Sequence, residues 1–231
     1  SGEDPACEGA TRQVAADPRD ASGTRDLVQG CCGVTFENEW VDIPALRSLE
    51  RQGACFSPGL KALSPLVDKL SQRQLLDELG IPAPPWCPLS EIALSQPKLP
   101  KGWQFPVMAK AARGGYDGKG TQALHSIEDL AQLLRRVEAD DWLLESWVDY
   151  ERELALVVSR DRQGRVRSFP LVETHQHHQV CDWVLAPAPA DQAIEALAYN
   201  VAVSLLTKLD YVGVLALEFF FGLDGLQVNE I

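Results

Sequence analysis

Apolar positions change their period several times along the chain, and each change marks a predicted element. Between 190 and 209, Ile194, Leu197, Ala198, Val201, Ala202, Leu205, Leu206 and Leu209 recur at the spacing of a helix with one apolar face. That stripe predicts core packing and needs no functional reading. In PLVDKLSQRQLLDELG, Ser64 reads as an N-cap, Pro65 as the first helical residue and Gly80 as the stop; Ser57-Pro58 carries the same start signal. The segment IPAPPWCPL cannot be helix and reads as a semi-rigid connector between lobes. Short apolar runs follow: FPVMAK and TQALH as strands around a glycine-rich loop, then a helix from near Ser126 with Glu128 and Asp129 in its first turn. WLLESWV, ELALVVSR and RVRSFPLVE predict an antiparallel sheet with its turn at Asp161 to Gly164, and YVGVLALEFFF with LQVNEI a terminal hairpin. Near the start, Val34 to Phe36 reads as a strand and Ile43 to Arg51 as a helix, a βα pattern too short for a complete doubly wound sheet. The chain is of mixed α/β class, α+β in its second half.

Composition narrows the function classes. Hydrophobic residues at 45% and charged ones at 23% suit a folded chain of 231 residues. With 21 basic against 33 acidic residues the net charge is -12, which opposes binding to nucleic acid or an anionic membrane. The six cysteines form no C-x-x-C pair, so a reducing, cytoplasmic setting is expected. No apolar run approaches the ~20 residues that span a bilayer, and no leader pattern opens the chain. It begins on Ser1 and stops on Ile231 inside a strand-like run, leaving a hydrophobic edge. A piece of a longer protein is therefore expected.

The loop GGYDGKG follows a strand that ends on Lys110. It is no Walker loop: Gly118-Lys119 is followed by Gly120, and Arg113 stands where the first glycine belongs. Nor does it open a helix as a dinucleotide fingerprint does. What remains is a glycine hairpin able to present backbone N–H groups to phosphates with Lys110 beneath, or a plain turn with solvated charges.

In the terminal hairpin, Glu218 interrupts the apolar run LALEFFF, and Asn229-Glu230 follow LQV. A buried carboxylate there needs a cation or a hydrogen-bonding partner, and Mg²⁺ prefers such oxygen ligands. With Gly225 left-handed in a three-residue turn, Gly222 faces Leu226 and Glu218 faces Glu230, ~5 Å apart at Cβ. A two-residue turn pairs Glu218 with Asn229 instead and sends Glu230 to the other face.

Together the strand lysine, the glycine hairpin, the acidic linker ESWV and the closing E…NE hairpin resemble the ATP-grasp superfamily. VTFENEWVD, SPLVDKLSQRQLLDELGIPAPPW, KAARGGYDGKGTQ, ERELALVVSRDRQGRVRSFPLVE and YVGVLALEFFFGLDGLQVNEI are more closely similar to the N5-carboxyaminoimidazole ribonucleotide synthetase family. The resemblance implies an ATP-grasp fold with a partial Rossmann-like pre-ATP-grasp domain over 1–63. A small lobe with the lid hairpin would cover 64–140, and a large lobe 141–231, ending after the metal hairpin. It implies use of ATP and Mg²⁺ to activate bicarbonate and carboxylate the amine of 5-aminoimidazole ribonucleotide, in a homodimer. Another ATP-grasp ligase and a non-catalytic nucleotide-binding module are the competing readings.

Carried over, Lys69 is a basic ATP contact and Lys110 the phosphate lysine, while Gly115, Tyr116, Asp117, Gly118, Lys119, Gly120 and Thr121 form the lid. Glu145 accepts from the adenine amine, with the backbone of Ser146, Trp147 and Val148 on the ring edge. Glu153 takes the ribose hydroxyls, and Gln176 lies near the nucleotide. Glu218 and Glu230 hold Mg²⁺, with Asn229 beside the phosphates. Glu37 and Glu39 are secondary candidates for the ribonucleotide, or a helix-start acid pair. His175, His177 and His178 read as solvated strand histidines, since neighbours on a strand face opposite ways. The family's opening glycine turn and its segment after Asn-Glu are missing from the sequence.

Overall fold

The computed structural model describes residues 5–115, 120–177 and 180–231. Its first region holds helices α1 (Ala21–Val28), α2 (Ile43–Arg51) and α3 (Leu60–Leu63). Asp42 caps α2 by accepting from the Ala45 amide at 3.0 Å, and Ile43, Leu46 and Leu49 turn inward against Phe56, Leu60 and Val67. The strand expected at Val34 to Phe36 shrinks to one parallel bridge, Val34 to Phe56, because among the described residues no further strand lies beside it to extend a ladder.

Helix α4 (Lys69–Leu79) starts later than Ser64-Pro65 predicts. Leu66 and Val67 are buried, so the chain turns inward after α3. Asp68 then supplies the cap, accepting from the Ser71 amide at 3.0 Å. Gly80 ends the helix in the left-handed conformation, φ 62°. Ser57-Pro58 likewise starts no helix, since Gly59 is the N-cap of α3.

A four-stranded antiparallel sheet follows, in the order β1-β4-β2-β3. Its strands are β1 (Trp86–Pro88), β2 (Val107–Ala111), β3 (Thr121–Leu124) and β4 (Trp142–Ser146). The proline connector is thus partly strand: β1 pairs with β4 as an edge, where proline is tolerated. Helix α5 (Ile127–Arg136), capped by Ser126, buries Leu130, Leu133 and Leu134 in the same core as Val107, Ala109 and Leu144. Strand β4, expected beyond a boundary at 141, therefore belongs with β2 and β3.

The second sheet runs β10-β9-β5-β7-β8, with β6 beside β5. It comprises β5 (Arg152–Arg160), β6 (Val166–Ser168), β7 (Val172–His177), β8 (Val180–Leu185), β9 (Gly213–Gly222) and β10 (Gly225–Glu230). Helix α6 (Gln192–Lys208) lays Ala198, Val201, Ala202, Leu205 and Leu206 on one face, against Leu154, Leu217 and Phe219; Leu197, expected in that stripe, is exposed. Leu75 and Leu76 of α4 join this core, so α4 packs with the larger sheet although its sequence precedes the smaller one. Among the described residues, no helix is long and apolar enough to cross a membrane.

Candidate nucleotide and metal site

The site forms where α4, β2, β4 and the β9–β10 hairpin meet. On β2, Lys110 shares a face with Met108, and Met108 is paired with Glu145 of β4. Lys110 and Glu145 are therefore diagonal neighbours across two strands. The Lys110 ammonium lies 2.8 Å from Glu145 Oε2 and donates to Asn229 Oδ1 at 3.0 Å. Arg73, from α4, donates through Nε to Glu145 Oε1 at 2.7 Å. Its Nη1 donates to the Val228 carbonyl at 3.2 Å and its Nη2 to the Asn229 carbonyl at 2.6 Å.

Among the described residues the buried polar side chains are Gln72, Arg73, Lys110 and Glu145, and all four belong to this junction. Burial pushes the Lys110 ammonium below its usual range; Glu145 opposes that, and Arg73 and Lys69 add to it. Burial pushes Glu145 the other way, but Lys110 and Arg73 outweigh it and hold the carboxyl ionised. Two cations therefore flank one buried carboxylate.

The adenine role expected of the Glu145 side chain is corrected by these contacts. Strand alternation turns it toward Lys110, and its two oxygens are occupied by Arg73 and Lys110 in the interior. The Ser146 amide is likewise committed, donating to the Pro85 carbonyl at 2.8 Å. Trp147 is exposed, its indole N–H donating to Asp149, and both it and Val148 lie beyond the end of β4. Arg73 was missed by the sequence reading. The available signal was a cation one turn before Leu76, on the face of α4 that also buries Gln72 and Leu75.

The hairpin brings Glu218 opposite Glu230 by a route the sequence did not show. Gly225 is left-handed, φ 83°, yet it pairs with Gly222, and the ladder continues Leu226–Phe221, Gln227–Phe220, Val228–Phe219. In that register Asn229 would face Glu218. A bulge between Val228 and Glu230 absorbs Asn229 and restores Glu230 to the position opposite Glu218. Asn229 bridges the cluster, its Nδ2 lying 3.5 Å from Glu218 Oε2, and Glu230 is paired with the Lys69 ammonium.

Glu218 is not sunk in a core, as the apolar run suggested. Leu215, Leu217 and Phe219 point inward, and Glu218 takes the open face between them. Solvent reaches it, so its desolvation is partial. Surrounding protein, then Glu230 and Glu153, still raise its pKa, with Lys69 and Lys110 pulling it down. Glu153 pairs with Phe220 and with Thr174, placing Glu153 on the same sheet face as Glu218 and Gln176. The Tyr150 hydroxyl donates to Glu153, and its ring stacks on Phe220 at 4.5 Å.

The glycine loop is described only at its feet. Gly120 has φ 80°, and a Cβ there would meet Ala111 Cβ at 3.1 Å and Gly115 Cα at 3.2 Å, so the two arms of the loop close only on glycine. The Gly120 carbonyl accepts from the Ala111 amide at 2.7 Å, and Thr121 opens β3 opposite Lys110. Tyr116, Asp117, Gly118 and Lys119 lie outside the described residues, as does His178. His175 is exposed and stacks on Trp183 at 4.9 Å. Glu37 accepts from Asn38, and among the described residues no hydrogen bond or ion pair joins Glu37 or Glu39 to the Lys110 cluster.

No group of three or more His, Cys, Asp or Glu side chains able to hold a metal occurs among the described residues. The pair Glu218 and Glu230 nonetheless fits a hard divalent cation: both donors are carboxylates, they face each other, and Glu218 is raised partly by Glu230. Mg²⁺ usually takes one or two protein carboxylates, with phosphate oxygens and water completing its shell.

Residues 74–231 match the model of the ATP-grasp domain. An N5-carboxyaminoimidazole ribonucleotide synthase of Synechocystis sp. is 46% identical over 217 residues, covering 94% of this chain and 54% of that protein. The crystal structure of carboxyaminoimidazole ribonucleotide synthase from Aspergillus clavatus complexed with ATP superposes with a TM-score of 0.88 at 28% identity, over 98% of this chain and 60% of that one. The Aspergillus clavatus synthase in complex with ADP and 5-aminoimidazole ribonucleotide gives 0.83 at 26% identity, over 96% and 58%. The chain thus spans little more than half the length of the relatives it matches. With the lysine, the glycine-footed loop and the paired hairpin carboxylates assembled in one place, the chain belongs to the ATP-grasp family.

Proposed function

We propose that the protein uses ATP and Mg²⁺ to carboxylate the amine of 5-aminoimidazole ribonucleotide with bicarbonate, giving N5-carboxyaminoimidazole ribonucleotide, ADP and phosphate. The observation that carries this reading is the contiguous set Lys110, Asn229, Glu218 and Glu230 at the foot of the loop. The substrate is suggested by the similarity to named synthases over nearly the whole chain. Bicarbonate is a poor electrophile until one oxygen takes the γ-phosphoryl group; the carboxyphosphate so formed has a leaving group, and the amine attacks its carbon. Phosphoryl transfer of this kind needs positioning and charge neutralisation more than covalent chemistry.

In this reading the Lys110 ammonium neutralises the transferring phosphoryl group, while Glu145 and Arg73 fix its position from behind. Lys69 exchanges Glu230 for a phosphate oxygen when nucleotide enters. Glu153, held by Tyr150, accepts from the ribose, and Gln176 lies near it on the same sheet face. Glu218 and Glu230 would hold Mg²⁺, which supplies charge neutralisation on the phosphate oxygens. The six free thiols support a reducing, cytoplasmic setting.

The test is phosphate release by the intact protein. Turnover of ATP is expected only when aminoimidazole ribonucleotide and bicarbonate are supplied together; equal turnover with unrelated amines would overturn the substrate assignment and leave a different ATP-grasp ligase.

A further inference from the structure

The carbonyls of a regular strand alternate in direction, so those of Val228 and Asn229 should point to opposite edges of β10. They do not. Both accept from the single guanidinium of Arg73, at 3.2 and 2.6 Å, on the outer edge where the Val228 amide also donates to the Pro82 carbonyl at 2.8 Å. Two successive carbonyls facing the same way is what the bulge consists of, and Arg73 is the group that receives them.

We infer that Arg73 is a positioning residue for the metal pair: its fork holds the bulge at Asn229 and thereby selects the register in which Glu230, rather than Asn229, stands opposite Glu218. Were the Asn229 carbonyl released, it would turn back to β9, and the ladder of the tight turn would run on unbroken. A slip of one residue then sends the Glu230 side chain to the other face of the sheet. Glu145 locks the fork from its other side at 2.7 Å, which couples the register of the hairpin to β4 and, through Lys110, to the phosphate-facing strand. Gln72, next to Arg73, donates to the Ile231 carbonyl at 3.1 Å and accepts from the Ile231 amide at 3.4 Å, so helix α4 grips the strand on both sides of Glu230.

This inference rests on the metal role proposed above for Glu218 and Glu230, but not on the identity of the amine substrate. Lysine keeps the positive charge beside Glu145 yet lacks the planar fork that reaches two carbonyls and a carboxylate together. In the intact protein with ADP, Arg73→Lys should weaken Mn²⁺ binding, read by electron paramagnetic resonance, by about tenfold or more. Metal-free ADP affinity should fall by much less than the Mn²⁺ affinity, and amide exchange over 225–230 should accelerate. Unchanged Mn²⁺ affinity would overturn the inference, as would equal losses of Mn²⁺ and ADP, which mark general structural support.

A second variant leaves Arg73 in place. Glu230→Gln should weaken Mn²⁺ binding while leaving amide exchange over 225–230 unchanged, and faster exchange there would show that the bulge is held by Glu230 and not by Arg73. Absence of Mn²⁺ binding by the unsubstituted protein would remove the metal pair and this inference together. A protein that binds Mn²⁺ normally but ignores aminoimidazole ribonucleotide would refute only the proposed reaction.

Discussion

Glu218 is held above its ordinary value of 4.5 by surrounding protein and by Glu230 and Glu153, and this fixes the sign of its pH dependence. The folded metal-free chain binds a proton there that the unfolded chain has released, so this group's contribution to stability falls as pH rises from about 4.5 through the raised pKa. Metal affinity climbs over the same window, because the cation must displace that proton. Denaturant midpoints followed against pH should show the slope, and Glu218→Gln should remove it. Glu153→Gln should move the metal-binding limb to lower pH by removing one of the like charges. At Glu145 the expected effect is on stability: Glu145→Gln leaves Lys110 and Arg73 as buried cations without a counter-ion, a loss of about 3–5 kcal/mol measurable by urea unfolding.

Elements whose signals were local could be read from the sequence. Ser126 accepts from the Asp129 amide at 3.2 Å, Asp191 caps α6, and Ile43 to Arg51 forms the expected helix, each set by residues within one turn. Leu205 of α6 is wholly buried, so Leu205→Ala should cost about 2–5 kcal/mol in thermal or denaturant unfolding. Strand β8 escaped because all six of its residues are exposed, which removes the alternation that announces a strand. Strand β1 escaped because Pro85 and Pro88 argue for a connector, and only its partner β4 makes it an edge strand. The opposition of Glu218 and Glu230 was anticipated but for the wrong reason. The bulge that produces it depends on Arg73, far away in sequence, and local turn chemistry does not carry that information.

At the scale of the molecule, the residues expected to act together come from both sheets and from α4: Lys110 from the smaller sheet, Glu218, Glu230, Glu153 and Gln176 from the larger, Lys69 between them. The general class was legible because the lysine, the loop and the closing hairpin each carry a local pattern. Their junction was not, because it is built from Gln72, Arg73 and Glu145, whose partners are set only by folding. The proline segment between the sheets has its own part in this arrangement. The Pro82 carbonyl accepts from Val228 in one sheet and the Pro85 carbonyl from Ser146 in the other, so a span of roughly 10 Å is anchored at both ends. Such a strut transmits torque: the sheets can twist about Ala83 and Pro84 but cannot part without losing a backbone bond. Opening for nucleotide entry would then be a rotation of small amplitude. Pro84→Gly should slacken the strut, visible as faster amide exchange at Ser146 and Val228 with little change at Leu205.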